Sequence, residues 1–210
     1  MLCKVGDLMS KLKHFYYDAF MMPLEKLRLH DKRKQLLKDV SGDVLEVGYG
    51  TGVNLNYYPY EQMDSLTLVD QKIPDHFSIK KIPRDLVLSI MKGDVTRLPF
   101  EDASFDSIVV TFLFCTVLEP DKGVSELYRV LRPDGRLYFM EHVLPSARPY
   151  NQLFHKLTPV WKRVASNCHL NRETVMTIQH GGFRLVEYHR FFKTSFAFGI
   201  AKKGEFYDIQ

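Results

Sequence analysis

Cysteine is scarce in this chain. Cys3, Cys115 and Cys168 are the only three in 210 residues, too few and too scattered for a disulfide framework or a metal-ligand spacing. A reducing compartment is the expectation, and with it a cytoplasmic location. No apolar run approaches the ~18 residues that a membrane span needs. The N-terminus carries Lys4 and Asp7 and lacks the apolar centre of a signal peptide. Repeats and low-complexity tracts are missing, as is any Arg-rich run interleaved with aromatics, so nucleic acid is not an expected partner. An excess of one charge is nearly missing too, since 29 Lys and Arg stand against 25 Asp and Glu. The whole surplus of four lies in residues 1–39, where nine Lys and Arg meet five Asp and Glu. That segment reads either as a solvated helix face or as a weak peripheral contact with an anionic membrane.

What is present is the composition of one ordinary globular domain, 45% hydrophobic and 26% charged. Its centre is Val44 to Asn54, a short apolar strand running into Gly48, Gly50 and Gly52, with a helix expected next. Alternating glycines let a backbone turn tightly and approach a ligand, and the expected helix would turn its N–H groups and positive dipole end toward it. A dinucleotide fingerprint would put its third glycine at position 53, which is Val53. Glu46, two residues before the first glycine, would repel a pyrophosphate but suits an amino group or a ribose hydroxyl. An NAD(P)-dependent oxidoreductase is therefore disfavoured. A second strand, Leu66–Asp70, ends in an acid 22 residues after Gly48, at the spacing that delivers a carboxylate to ribose hydroxyls.

Residues 7–21 have helical apolar spacing, and a second helix is expected from Pro23 to Val40, ended by Ser41-Gly42. Residues 1–40 thus read as a helical cap on a domain spanning 41–210. Strands are expected at Leu86–Met91, Ser107–Phe112 and Arg136–Glu141, and helices at 120–131 and 150–166. A further helix is expected near Asn171 as N-cap with Glu173 in its first turn, stopped by Gly181-Gly182. The chain closes on a hairpin, Phe183–Phe192 and Phe196–Lys202, through Lys193-Thr194-Ser195. Cys115 reads as a small buried residue. His142, at a strand's C-terminal end, is either structural or catalytic. Phe154, Leu157, Val160 and Trp161 either shape an apolar acceptor pocket or belong to the core.

The runs at 44–59, 130–143 and 167–183, together with Leu98-Pro99-Phe100, Asp102 and Ser104-Phe105-Asp106, resemble a known family. It is the class I S-adenosylmethionine (SAM)-dependent methyltransferases of the type-11 group, and within it the methyltransferase-like protein 7 family and its bacterial relatives. Quinone C-methyltransferases and phosphatidylethanolamine N-methyltransferases are more distantly similar. The resemblance implies an α/β, Rossmann-like fold: a seven-stranded, mostly parallel sheet with an antiparallel last strand and helices on both faces. It implies SAM as donor, S-adenosylhomocysteine as product and a small or lipid-like acceptor, with an alkyl thiol favoured over a quinol or phospholipid. A non-catalytic SAM-binding protein is the contrasting reading. The residues implied around SAM are Tyr16, Glu46, Gly48, Tyr49, Gly50, Gly52, Asn54, Asp70, Gln71, Asp94, Val95, Thr111, Phe112 and Leu113. Asp94 would face the adenine amino group. For an acceptor that arrives protonated, His142 and Tyr17 are the proton-handling candidates.

Overall fold

The computed structural model describes residues 29–73, 82–164 and 167–204. The expected helix over 7–21, with Tyr16 and Tyr17, lies outside the described residues, as does Cys3. Seven strands form one sheet: β1 Gly42–Val47, β2 Met63–Asp70, β3 Val87–Lys92, β4 Phe105–Thr111, β5 Leu131–His142, β6 Phe183–Phe191 and β7 Phe196–Lys203. Their order is β3-β2-β1-β4-β5-β7-β6. The first five run parallel, and β7 lies antiparallel between β5 and β6.

Each central strand buries both faces, which is why these segments read as near-continuous apolar runs. Leu45, Val47, Ile108, Val110, Leu137 and Phe139 face one cluster, shared with helices α2 (Pro120–Val130) and α4 (Thr174–His180). Val44, Leu66, Leu68, Val109, Tyr138 and Met140 face the other, with Leu36 and Leu37 of helix α1 (His30–Leu37). Helix α3 (Arg148–Val164) follows β5 and contains Pro159.

Four expectations need correction. The chain from Gly52 to β2 forms no α-helix. Val53–Asn56 is one 3-10 turn and Tyr60–Gln62 another. Asn56 Nδ2 donates to the Val53 carbonyl at 2.9 Å, the Asn54 side chain turns inward to Glu46, and Pro59 follows. The dipole argument therefore falls away. The helix expected up to Val40 ends at Leu37, with the Val40 N–H donating back to the Leu37 carbonyl. Asn171 is not an N-cap; α4 starts at Thr174 behind Glu173. The preceding Arg172 is committed elsewhere, its carbonyl accepting the Leu144 N–H at 3.0 Å. Finally, β5 pairs from Leu131 rather than from Arg136. Its register jumps from Phe105–Leu131 to Ser107–Arg136, so the expected turn at Arg132–Gly135 survives as a bulge. The closing hairpin turns through Phe192, Lys193 and Thr194, all at positive φ.

Candidate active site

Parallel strands end together, so the segments after β1, β2, β3, β4 and β5 meet at one edge of the sheet. Gly48 has φ +76°, and a Cβ there would stand 2.8 Å from Leu113 Cδ1. Gly50 has φ +51°, yet a Cβ would meet nothing within 4 Å. The loop is thus closed against Leu113 at Gly48 and open at Gly50. Tyr49 between them packs into the core cluster, leaving its backbone to line the loop.

Glu46 is enclosed beneath this loop, 1% exposed. Its Oε1 accepts Asn54 Nδ2 at 2.7 Å and its Oε2 accepts the Tyr58 hydroxyl at 2.7 Å. Arg33 of α1 completes the network. It donates to Asn54 Oδ1 at 2.5 Å and to Thr111 Oγ1 at 3.3 Å, and its guanidinium lies 5.5 Å from the Phe112 ring centre. Asn54 Nδ2 also reaches Thr111 Oγ1, at 3.1 Å. Burial raises the Glu46 pKa, and the hydrogen bonds from Tyr58 and Asn54 and the charge of Arg33 oppose that rise. Sequence reading missed Arg33 because it sits between Lys32 and Lys34 in what looks like a solvated run. The available signal was its spacing from Leu29, Leu36 and Leu37, four before and three and four after, which places it on the buried stripe.

At the end of β2, Asp70 Oδ2 accepts the Gly50 N–H at 3.0 Å and Oδ1 accepts the Lys72 N–H at 3.1 Å. Gln71 donates to Asp94 Oδ2 at 3.0 Å, while Thr96 donates its N–H and hydroxyl to Asp94 Oδ1, both at 2.8 Å. The Thr96 backbone bond leads in holding the Asp94 carboxyl below its usual range. Val95 departs from this wall: it is 3% exposed and packed in the core.

The chain leaving β4 passes through Phe112 at φ +55°, a backbone conformation that costs a non-glycine residue energy. Two residues that sequence reading had not assigned hold it there. Glu141, fully buried at the end of β5, accepts the N–H groups of Leu113 at 3.0 Å and Phe114 at 3.1 Å on one oxygen, Oε1. Its Oε2 is buried with no hydrogen-bond partner among the described residues. Burial pushes this carboxyl up to about 8, against the pull of the amides. From the other side, Arg172 donates to the carbonyls of Phe114 and Val117, the latter at 2.5 Å. The loop is thereby held by its amides on one element and its carbonyls on another.

His142 follows Glu141. Its ring stacks on Phe154 of α3 at 5.7 Å and meets the edge of Phe196 at 5.0 Å. Burial lowers its pKa to about 4, so the ring is neutral at physiological pH, and Nδ1 is enclosed without a partner among the described residues. Next to it, Cys115 and Cys168 are free thiols packed together with Leu170, Phe154 and Trp161. The mutual hydrogen bond and burial push the Cys115 thiol up. Leu157 and Val160, by contrast, are 45% and 64% exposed and shape no pocket here.

A cavity of about 750 Å³ lined by Ser41, Gly42, Asp106, Arg132 and Arg136 opens at the amino-terminal ends of the strands. It sits a strand's length from this site, roughly 20 Å at 3.3 Å per residue, and takes no part in it. Among the described residues no group of His, Cys, Asp or Glu is placed to hold a metal ion.

Residues 45–139 match the family model described as a methyltransferase domain. Thiol S-methyltransferase TMT1B of Mus musculus is 33% identical over 186 residues, which are 82% of this chain and 75% of that protein. The chain belongs to this methyltransferase-like protein 7 family. Demethylmenaquinone methyltransferase of Beutenbergia cavernae is 41% identical over a shorter stretch of 85 residues, 38% of this chain and 35% of that protein. The 1,6-didemethyltoxoflavin-N1-methyltransferase of Burkholderia thailandensis, solved with S-adenosylhomocysteine, superposes with a TM-score of 0.65 at 16% identity. It covers 96% of this chain and 89% of its own. The methyltransferase is thus SAM-dependent, on a Rossmann-like sheet. Its open Gly50, flanked by the acceptor-only carboxylates of Asp70 and Asp94, fits a cofactor that offers a ribose diol and an amino group rather than a phosphate.

Proposed function

We propose that this methyltransferase alkylates the sulfur of a small, apolar thiol. The observation that carries the reading is the 33% identity to a thiol S-methyltransferase over three quarters of that protein's length. The ring-lined surroundings of His142 support it. In this reading the Gly48–Gly52 loop, Asp70 and Asp94 bind the donor, and Glu46, Asn54 and Arg33 keep the loop in shape beneath it. When bound there, S-adenosylmethionine would supply a methyl on a sulfonium, already an activated leaving group, with S-adenosylhomocysteine as the product.

The protein's task is then to align the acceptor and exclude water. A thiolate lone pair makes the new S–C bond as the donor's C–S bond breaks. A thiol of ordinary pKa, near ~8.5, already ionises in part at neutral pH. His142, lowered to about 4, would pay roughly 6 kcal/mol to take that proton outright. We therefore give its ring the part of a hydrogen-bond partner that orients the sulfur, not that of a base.

The test is transfer of labelled methyl from SAM to a small alkyl thiol, run beside a quinol and phosphatidylethanolamine. Methylated thiol at useful turnover supports the proposal. Label on the quinol instead would favour the second reading, for which the demethylmenaquinone methyltransferase similarity speaks. Turnover untouched in His142→Ala would remove the histidine from the mechanism.

A further inference from the structure

One surface of the C-terminal third is left unused by methyl transfer. Between Glu141 and Glu173 the chain has no Asp or Glu, but it has Arg148, Lys156, Lys162, Arg163 and Arg172. Seventeen of these residues form α3. Its inner side is held by Phe154 and Trp161 against Cys115, Cys168 and Leu170, with Thr158 buried beside them. Leu153, Leu157 and Val160 fall on a different strip, about 100° round the helix from that inner side. They are 47%, 45% and 64% exposed. Lys156 and Arg163, both exposed, border the strip on its outer side. At the helix's start the hairpin turn joins it: Lys193 Nζ reaches the Tyr150 hydroxyl at 3.0 Å and Thr194 bonds Ser146. That turn carries Phe192, 45% exposed.

We propose that this face of α3, with the β6–β7 turn, docks on an anionic phospholipid membrane. An apolar strip bordered by cations and free of acids is what an interfacial helix needs, with Leu153, Leu157 and Val160 at the acyl boundary and the cations among headgroups. The charge selects the occupant, because a second copy would bring the same cations against the same strip. At 17 residues α3 is about 25 Å long. It lies in the membrane plane, consistent with no described helix being long and apolar enough to cross. Phe154 of this helix stacks on His142, so an acceptor dissolved in the acyl layer would enter the site from the same side. That corollary rests on the apolar acceptor proposed above; docking does not.

The experiment is co-sedimentation of the full chain with vesicles of phosphatidylcholine, and of phosphatidylcholine containing roughly 30% phosphatidylserine, the lipid whose charge sets the surface potential. Trp161, the single tryptophan, faces inward, so the reporter is Leu157→Trp in a Trp161→Phe background, whose quenching by brominated acyl chains reports the docked face. Expected are binding that requires phosphatidylserine and weakens with salt, and quenching of the Leu157→Trp reporter. Lys156→Glu with Arg163→Glu should cut partitioning by about thirtyfold or more, from the loss of two surface cations. Leu153→Ser with Leu157→Ser and Val160→Ser should cut partitioning at least tenfold, with SAM affinity retained as the check on folding. The proposal is overturned by any of four results: no binding, binding indifferent to phosphatidylserine, both variants partitioning like wild type, or bound protein whose Leu157→Trp reporter is unquenched. A serine variant that changes oligomeric state and not partitioning would give the strip to a second copy and also overturn it.

Discussion

Exchange of Glu141 for glutamine should make the protein progressively more stable relative to wild type as the pH rises. The carboxyl is fully buried, and burial moves it from an ordinary 4.5 to about 8. The folded state therefore holds this proton across a window in which the unfolded chain has lost it. Stability from this group is fully present below pH 4.5 and is lost as the pH climbs through 8. At 1.36 kcal/mol per pH unit the complete loss is about 5 kcal/mol, of which about 3.5 falls between pH 5 and 8. Glutamine keeps an oxygen for the Leu113 and Phe114 amides and has nothing to ionise, so the dependence vanishes in the variant. Urea unfolding of both proteins without SAM, at several pH values across that window, measures the difference directly, and every other titrating group cancels. A wild-type-minus-variant difference that stayed constant within about 0.5 kcal/mol would refute the reasoning. It would mean that the Glu141 carboxyl is as comfortable ionised as neutral, and that its surroundings are wetter than the geometry shows.

Three further outcomes follow from the same site. Arg33→Ala leaves Asn54 and Thr111 short of a donor and Glu46 without its nearby cation, and should cost about 2–4 kcal/mol in denaturant unfolding, with Arg33→Lys recovering little of it. Gly50→Ala should lower stability by only about 1 kcal/mol, the strain of a positive φ, while weakening SAM binding tenfold or more by calorimetry, because the new methyl projects into the open mouth. The kcat profile should show no acid limb from His142 until the pH nears 4, the value to which burial lowers it. A loss of activity centred near pH 6.5 that His142→Gln removes would contradict its neutral state.

Much of the sheet was legible in the sequence because β1, β2 and β4 are buried on both faces and end at a glycine, an acid or a threonine. Period and punctuation coincide there. The antiparallel last strand was given by family resemblance and not by local pattern, and its place between β5 and β6 was not read at all. The turn after Gly52 was misread because the Asn56 side chain takes the Val53 carbonyl and the Asn54 side chain turns inward to Glu46, contacts that hydrophobic spacing does not record. The partners of Arg33 and Arg172 escaped for a different reason. Arg33 and Thr111 are 78 positions apart, and Arg172 and Phe114 are 58 apart. Only the folded topology makes them neighbours.

Arg172 carries one more consequence. It belongs to the segment that leads into α4, part of the stretch we propose shapes the acceptor pocket, yet its guanidinium grips the loop after β4 that we propose faces the donor. Acceptor preference in such enzymes invites change by transplanting the stretch after β5, as though it were an interchangeable module. Here the graft would carry away a clasp of the other half. A chimera that brings a new 143–173 stretch without an arginine at that position trades away cofactor affinity for its new substrate, so the two specificities must evolve in step.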